Sequence, residues 1–436
     1  MSITDLYEYV NNRRKYDDIR NIMYLKNGNV TLNKFEYLDK NEIPLADRRY
    51  SKLYFNKGGE VYIEGSRGCA FCACNICECR DFLGSRNKSF MWRDRPISSI
   101  IEEMKILISE GINTVTFADE DFLGDDNYGL KRANEFAIEL RKCNLDIKFR
   151  INARIKSICN NNDLPEKAQS RKDTFSNLKQ VGLSKIFLGF ESGSQSQINR
   201  YNKGFKLFDF LEAKSILNQL DIDFELGYIC LDPLMSFSEL KESLLFIKEN
   251  NCIKSISSIY KELRIQSGNK SYLKKVEKYE KENNMQILGS LDFNEQTYNI
   301  ISYIDSNITR IRNIMKIYEQ ETYKLFYLIR ILTQYSLDIE DSFITSLIFK
   351  TSELIKMNDY NILIDLVKQI EHHNSDKHLF NSLRIHELKR KDIYLNLINQ
   401  LTNQKNIKYK YLIEIIQSTY SQNSVIPLSS GLLITT

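Results

Sequence analysis

The chain has 436 residues, enough for about three compact units or one large unit with extensions. Its 61 lysines and arginines against 57 aspartates and glutamates leave a formal charge of +4, too weak a bias to require nucleic acid or an anionic membrane as partner. Apolar residues at 42%, with 17 glycines and 5 prolines, exclude a collagenous or extensively disordered chain.

Residues 1–60 are mixed and polar, carry no glycine-rich phosphate loop, and read as a cap or lead-in. The charged start MSITDLYEYVNNRRKYDD lacks the apolar centre of a signal peptide, and no run approaches the ~18 apolar residues of a membrane span, so a cytoplasmic protein is expected. From residue 61 the pattern alternates. Strand-like VYIEG (61–65) leads to a cysteine-rich loop and then to helix ISSIIEEMKILISEG, with Ser99 and Glu102 as a candidate capping box and Gly111 as its stop. Further strands are predicted at 114–120, 147–155, 185–192, 223–233 and 255–265, with helices at 130–143, 173–182, 208–220 and 237–250 between them. Six strands alternating with helices predict parallel βαβ units curved into a full or partial barrel, whose chemistry belongs at the C-terminal strand ends. The unusual residues fall there: the cysteines after the first strand, Asp119, Glu120 and Asp121 after the second, Arg154 at the third, Glu191 and Ser192 at the fourth, Asp232 and Pro233 after the fifth.

Beyond about 270 the sequence reads as helices. Ile304, Ile308, Ile311, Met315, Tyr318, Thr322, Leu325, Ile329 and Leu332 follow a 4-3 spacing that predicts one long amphipathic helix with a core-facing stripe. All four histidines, His372, His373, His378 and His386, lie in this tail.

Cys69, Cys72, Cys74, Cys77 and Cys79 fall within 11 residues, where even scatter of the nine cysteines would put about 0.2. In a reducing compartment such crowding points to metal or redox chemistry rather than disulfides. A zinc site normally draws its ligand pairs from separated segments, whereas here one residue separates the two CxxC pairs and no histidine is near. A multi-metal thiolate cluster remains open. Closely spaced thiolates on one loop suit an iron–sulfur cubane better. Cys143, Cys159, Cys230 and Cys252 are scattered and read mostly as core positions. Arg80, Arg86, Lys88, Arg93 and Arg95 make the following loop basic, read as solvated charge.

The segments GSRGCAFCACNIC, MWRDRP, TFADEDF, FLGFESGSQSQINRYNKG, ICLDP and LRIQSGNKSY, in this order over about 61–280, resemble the radical S-adenosylmethionine (SAM) enzymes, particularly the subgroup related to cobalamin-binding members. The resemblance implies an α/β fold: a partial (β/α)6 barrel over 61–268, preceded by the cap (1–60) and followed by an all-α domain (269–436). The usual family spacing C-x3-C-x2-C is absent. The C-x4-C-x2-C form found in relatives is met by Cys69, Cys74 and Cys77 alone, which are therefore expected to hold a [4Fe-4S] cluster, with Cys72 and Cys79 as alternative ligands or inert neighbours. Three protein ligands leave one iron open to chelate SAM. By the same resemblance, Asp119, Glu120 and Asp121 are candidates for the SAM amino group, Arg154 for its carboxylate, and Glu191 and Ser192 for ribose or amino contacts, with Gly193 letting the backbone approach. Hydrogen abstraction from a peptide or small metabolite is implied, with a flavodoxin- or ferredoxin-type electron donor and no membrane or nucleic-acid partner. Cobalamin methyl transfer is not expected, because only about 60 residues precede the barrel. A non-catalytic iron–sulfur or SAM sensor, and a zinc or thiolate-cluster module, are the alternatives.

Overall fold

A computed structural model describes residues 3–34, 40–56, 59–79, 91–336 and 342–403. At its centre is a five-stranded parallel sheet of β1 (Tyr62–Ile63), β2 (Thr114–Phe117), β3 (Lys148–Ala153), β4 (Leu183–Glu191) and β5 (Asp223–Tyr228), paired in chain order. In-order parallel pairing requires a crossover after each strand. These crossovers carry α1 (Ile97–Ser109), α2 (Tyr128–Cys143), α3 (Pro165–Gln180), α4 (Gln195–Arg200), α5 (Leu207–Gln219) and, after β5, α6 (Phe237–Glu249). The strands read as β-branched and aromatic runs because the core packs on them: Val115, Phe117, Phe149, Ile151, Ile186, Leu188 and Leu226 are all buried. Phe117 meets Phe122, Phe136 and Phe149 edge to face, with centroids 4.8 to 5.9 Å apart.

The sixth strand expected at 255–265 is not continuous. Residues Ile253–Ser255 form a 3-10 turn, and the segment touches the sheet edge only through parallel bridges Leu226↔Ile256 and Leu231↔Glu262, so the closing wall is irregular. The first strand spans two residues rather than five. The capping box at Ser99 and Glu102 does not form either. The N-cap of helix α1 is Pro96, three residues before Ser99, and the Ser99 hydroxyl instead accepts from Arg95.

After the barrel come α7 (Lys270–Asn283), an antiparallel hairpin of β6 (Leu288–Asp292) and β7 (Thr297–Ile300), and three long helices α8 (Ser306–Ser336), α9 (Ser342–Glu371) and α10 (Asp376–Asn403). The hairpin corrects the all-α expectation for this region. Its signal is a short alternating run broken by DFNEQ, with Gln296 at φ +55°. Of the predicted stripe on α8, Ile308, Ile311, Met315, Tyr318, Thr322, Ile329 and Leu332 are buried. One apolar cluster runs from β1 through the barrel into the near half of the bundle, and a second, around Ile329, Ile344 and Tyr394, fills the far half. The buried Arg390 guanidinium donates to Asp359 (2.9 Å) and to the Tyr318 hydroxyl (3.1 Å), which satisfies the Asp359 carboxylate and ties α8, α9 and α10 together. His386 is bonded to Asn358 and Asp365 within this bundle. Among the described residues no helix is long and apolar enough to cross a membrane.

Candidate functional site

The loops at the C-terminal ends of the first four strands, with the segment 266–270, line a cavity of about 860 Å³. Cys69, Cys74, Cys77 and Cys79 line one side of it. Glu120, Asn152, Arg154, Glu191 and Lys203 line it as well, together with Gln266, Gly268 and Lys270 from beyond the sheet. The triple singled out by spacing therefore opens on one space. Cys72 is buried, in the left-handed region at φ +41°, and does not line the cavity, whereas Cys79 does.

The thiols differ in their surroundings. Burial pushes Cys69 up to about 12, and the neighbouring Asp121 carboxylate, 3.7 Å from its sulfur, adds to the rise. Burial also raises Cys74, while the Lys203 ammonium works against it. A hydrogen bond from the Cys79 thiol draws Cys77 down to about 6 and drives Cys79 upward.

The acidic segment after β2 divides its labour. The strand ends at Phe117, so alternation no longer decides orientation. Asp119 is fully buried away from the cavity, where Oδ1 accepts from the Gly65 amide (2.7 Å) and Oδ2 from the Ser66 hydroxyl (2.6 Å). Burial holds its carboxyl up at about 6. Glu120 faces the cavity and accepts from the Gly68 amide at 2.8 Å. Asp121 is also fully buried. Its Oδ2 pairs with Arg154 Nε at 2.6 Å, and its Oδ1 has no hydrogen-bond partner. Arg154 further donates to the Gly124 carbonyl (2.8 Å) and lies 6.0 Å from the Phe71 ring. Asn152 braces this loop in both directions, donating to the Asp119 carbonyl and accepting from the Phe122 amide.

At the end of β4, Glu191 adopts φ +68°, uncommon for a side chain of its size, and its carboxylate accepts from Lys203 Nζ at 3.0 Å. Lys203, with 15% of its side chain exposed, is disfavoured as a cation by burial, but Glu191 and the adjoining Cys74 outweigh this and hold it protonated. Ser192 turns away from the cavity. Its hydroxyl is bonded to Gln197 (2.6 Å) and lies 3.3 Å from Ser243 Oγ. Gly193 is required by helix α6 rather than by a ligand, since a Cβ there would lie 2.7 Å from the Ser243 carbonyl. The structure thus brings Glu120, Asp121, Arg154 and Glu191 around the cysteine loop and separates Asp119 and Ser192 from it.

Lys203, Asn152, Phe71 and the rim at Gln266–Lys270 were not singled out by sequence reasoning. Lys203 stands in the RYNKG segment, where a cation directly before a glycine was the available signal. The basic loop contracts too: Arg95 is buried against Glu103, and Arg80, Arg86 and Lys88 lie outside the described residues. Cys230 and Cys252 are core residues, as expected, while Cys143 and Cys159 are only partly buried.

No protein-family model matches the chain. It is 27% identical over 262 residues to a 4'-phospho-dehydrooxetanocin synthase of Priestia megaterium, covering 58% of this chain and 34% of that one. Its structure superposes on that of OxsB, a cobalamin-dependent SAM radical enzyme with aqua-cobalamin and SAM bound, with a TM-score of 0.81 and 18% identity over 97% of this chain and 66% of that chain. A second OxsB structure, with aqua-cobalamin bound, gives 0.74 at 19% identity, covering 97% and 63%. This chain therefore spans about a third of the curated relative and less than two thirds of the OxsB chain. The structural likeness establishes that the chain has the fold of OxsB, a SAM radical enzyme, and the sequence match is to a synthase 27% identical over 262 residues.

Proposed function

We propose that this protein is a radical SAM enzyme that holds a [4Fe-4S] cluster through Cys69, Cys74 and Cys77, cleaves SAM reductively and abstracts a hydrogen atom from its substrate. The observation that carries the reading is the meeting of three loop thiols with Arg154 at one cavity, the guanidinium being held from behind by the buried Asp121 carboxylate. The donor set fits the group. Among the described residues no three His, Cys, Asp or Glu side chains converge as ligands of a single metal ion do. Closely spaced thiols on one loop with no histidine beside them suit a cubane better than a tetrahedral zinc ion.

When bound, the cluster supplies the electron that splits SAM into methionine and a 5'-deoxyadenosyl radical able to take hydrogen from an unactivated position. The chain's own contribution is binding and exclusion. Arg154, which lines the cavity, offers its guanidinium to the methionyl carboxylate, and the buried Asp121 holds that guanidinium in place. Glu120 and Glu191 provide acceptors for amino or ribose hydroxyl groups. Lys203 keeps a positive charge beside Cys74 and so favours the thiolate that the cluster needs. Asp119 and Ser192 fix the loops from behind. The apolar wall from Phe71, Ile76, Phe187 and Phe205 keeps stray hydrogen donors out.

The name of the curated relative favours a small molecule over a peptide as substrate. Cysteines without disulfides suit a reducing cytoplasm, with a flavodoxin- or ferredoxin-type donor. The test is anaerobic reconstitution followed by dithionite and SAM. 5'-Deoxyadenosine should appear and should vanish in Cys69→Ala, Cys74→Ala and Cys77→Ala. A fully loaded cluster without SAM cleavage contradicts the reading.

A further inference from the structure

The cysteine loop does not hold its own shape. Few of its backbone groups pair within it, and its main supports come from two distant segments. The first is the turn Arg200–Gly204. The Asn75 amide donates to the Tyr201 carbonyl (2.8 Å), Asn75 Nδ2 to the Arg200 carbonyl (2.9 Å), and Asn202 Nδ2 to the Ala73 carbonyl (2.8 Å). Phe71 lies against Gly204, where a Cβ would come within 2.5 Å of the ring. The second is the segment leading into α7, where the Gly268 amide donates to the Glu78 carboxylate (3.2 Å).

Both supports converge on one carboxylate. Asp232 is completely buried beyond β5. Its Oδ2 receives Arg200 Nε at 3.0 Å, and its Oδ1 receives the Leu234 amide (2.8 Å) and the Tyr272 hydroxyl. Arg200 carries the carbonyl that holds Asn75. Tyr272 stands four residues after the amide that holds Glu78, and its ring packs 6.4 Å from that of Tyr201. Glu239 takes the other face of Arg200 at 2.8 Å, so the guanidinium has little freedom. Asp232 does not line the cavity.

We infer that Asp232 is a positioning residue for the cysteine loop, locking together the two segments on which that loop rests. The inference builds on the cluster reading given above. A loop seated from both sides holds its three thiols at fixed separations, which an open-cornered cubane needs if it is to survive ligand exchange at the fourth iron. An asparagine at 232 is neutral and has one accepting oxygen, so either Arg200 on one side or the Leu234 amide on the other loses its acceptor.

The experiment compares anaerobically reconstituted wild-type chain, Asp232→Asn and Asn202→Gly by iron and sulfide content, by the electron paramagnetic resonance (EPR) spectrum of the reduced cluster, and by the rate of cluster loss in air. Losing a charge-assisted hydrogen bond that holds the loaded conformation should speed cluster loss in Asp232→Asn by about tenfold or more and alter the EPR line shape. Asn202→Gly keeps a backbone that accepts φ +53° and loses one neutral bond to the loop, so it should speed loss by about fivefold. It decides the matter if the buried-site variant does not fold. A loaded wild type with both variants matching it in spectrum and decay overturns this inference alone. A wild type that takes up no cluster overturns the cluster reading and this inference with it.

Discussion

Replacing Arg154 by glutamine separates two roles that one guanidinium fills. In the fold, its Nε sits 2.6 Å from an Asp121 carboxylate that has no solvent exposure, while 23% of the arginine side chain is exposed. Removing one partner of a buried pair costs about 3–5 kcal/mol, and water reaching the arginine side moves the expectation to the low end, about 3 kcal/mol. Burial already pushes the Asp121 carboxyl upward and Arg154 opposes it, so without the arginine the acid should protonate more readily. Urea unfolding should therefore show a loss of about 3 kcal/mol for Arg154→Gln, and Arg154→Gln/Asp121→Asn should recover most of it because no charge is left stranded. Binding should behave differently. If the guanidinium meets the SAM carboxylate, both variants lose a charge-assisted contact of about 2–3 kcal/mol, a roughly 30- to 150-fold weaker Kd. Anaerobic calorimetry of SAM with cluster-loaded protein reads this directly. A double variant that binds SAM as tightly as wild type would refute the assignment and leave Arg154 with a structural role only.

Asp119→Asn tests the division within the acidic segment. Because the folded carboxyl is held up at about 6, the native state binds the proton more tightly than the unfolded chain, and stability falls as pH rises from about 4 to about 6. The asparagine variant should match wild type near pH 4 and exceed it by up to about 3 kcal/mol above pH 6, with SAM affinity unchanged; equal stability at pH 7, or weakened SAM binding, counts against the burial account. Lys203→Met removes a cation beside Cys74 and should lower the cluster midpoint potential on the order of 60 mV in an EPR-monitored titration, and an unchanged or higher potential argues against it. Cys72→Ser should retain full iron where Cys74→Ser loses the cluster, and equal iron loss in both would reopen the choice of ligands.

The candidate site was legible where it depends on local sequence. Five cysteines in eleven residues and their C-x4-C-x2-C spacing singled out a loop that does open on the central cavity. Strand and helix alternation foretold the parallel sheet, because buried strands between crossover helices leave a repeating apolar pattern. What eluded the sequence was decided by contacts between distant residues. Asp119 and Ser192 look like ligand contacts by position, yet Gly65, Ser66 and Gln197 claim their oxygens. The sixth strand has a strand-like sequence, but a 3-10 turn at its entry lets only two bridges form. Lys203 and Asp232 acquire meaning only when the turn after α4 meets the cysteine loop.

Mössbauer spectroscopy of iron-57-reconstituted, oxygen-free protein, recorded with and without SAM, tests the central claim most directly. The account predicts a [4Fe-4S] cluster in which about one iron in four changes its isomer shift when SAM is added. Four irons that stay alike in the presence of SAM, or a reconstituted chain without a cubane, would contradict it.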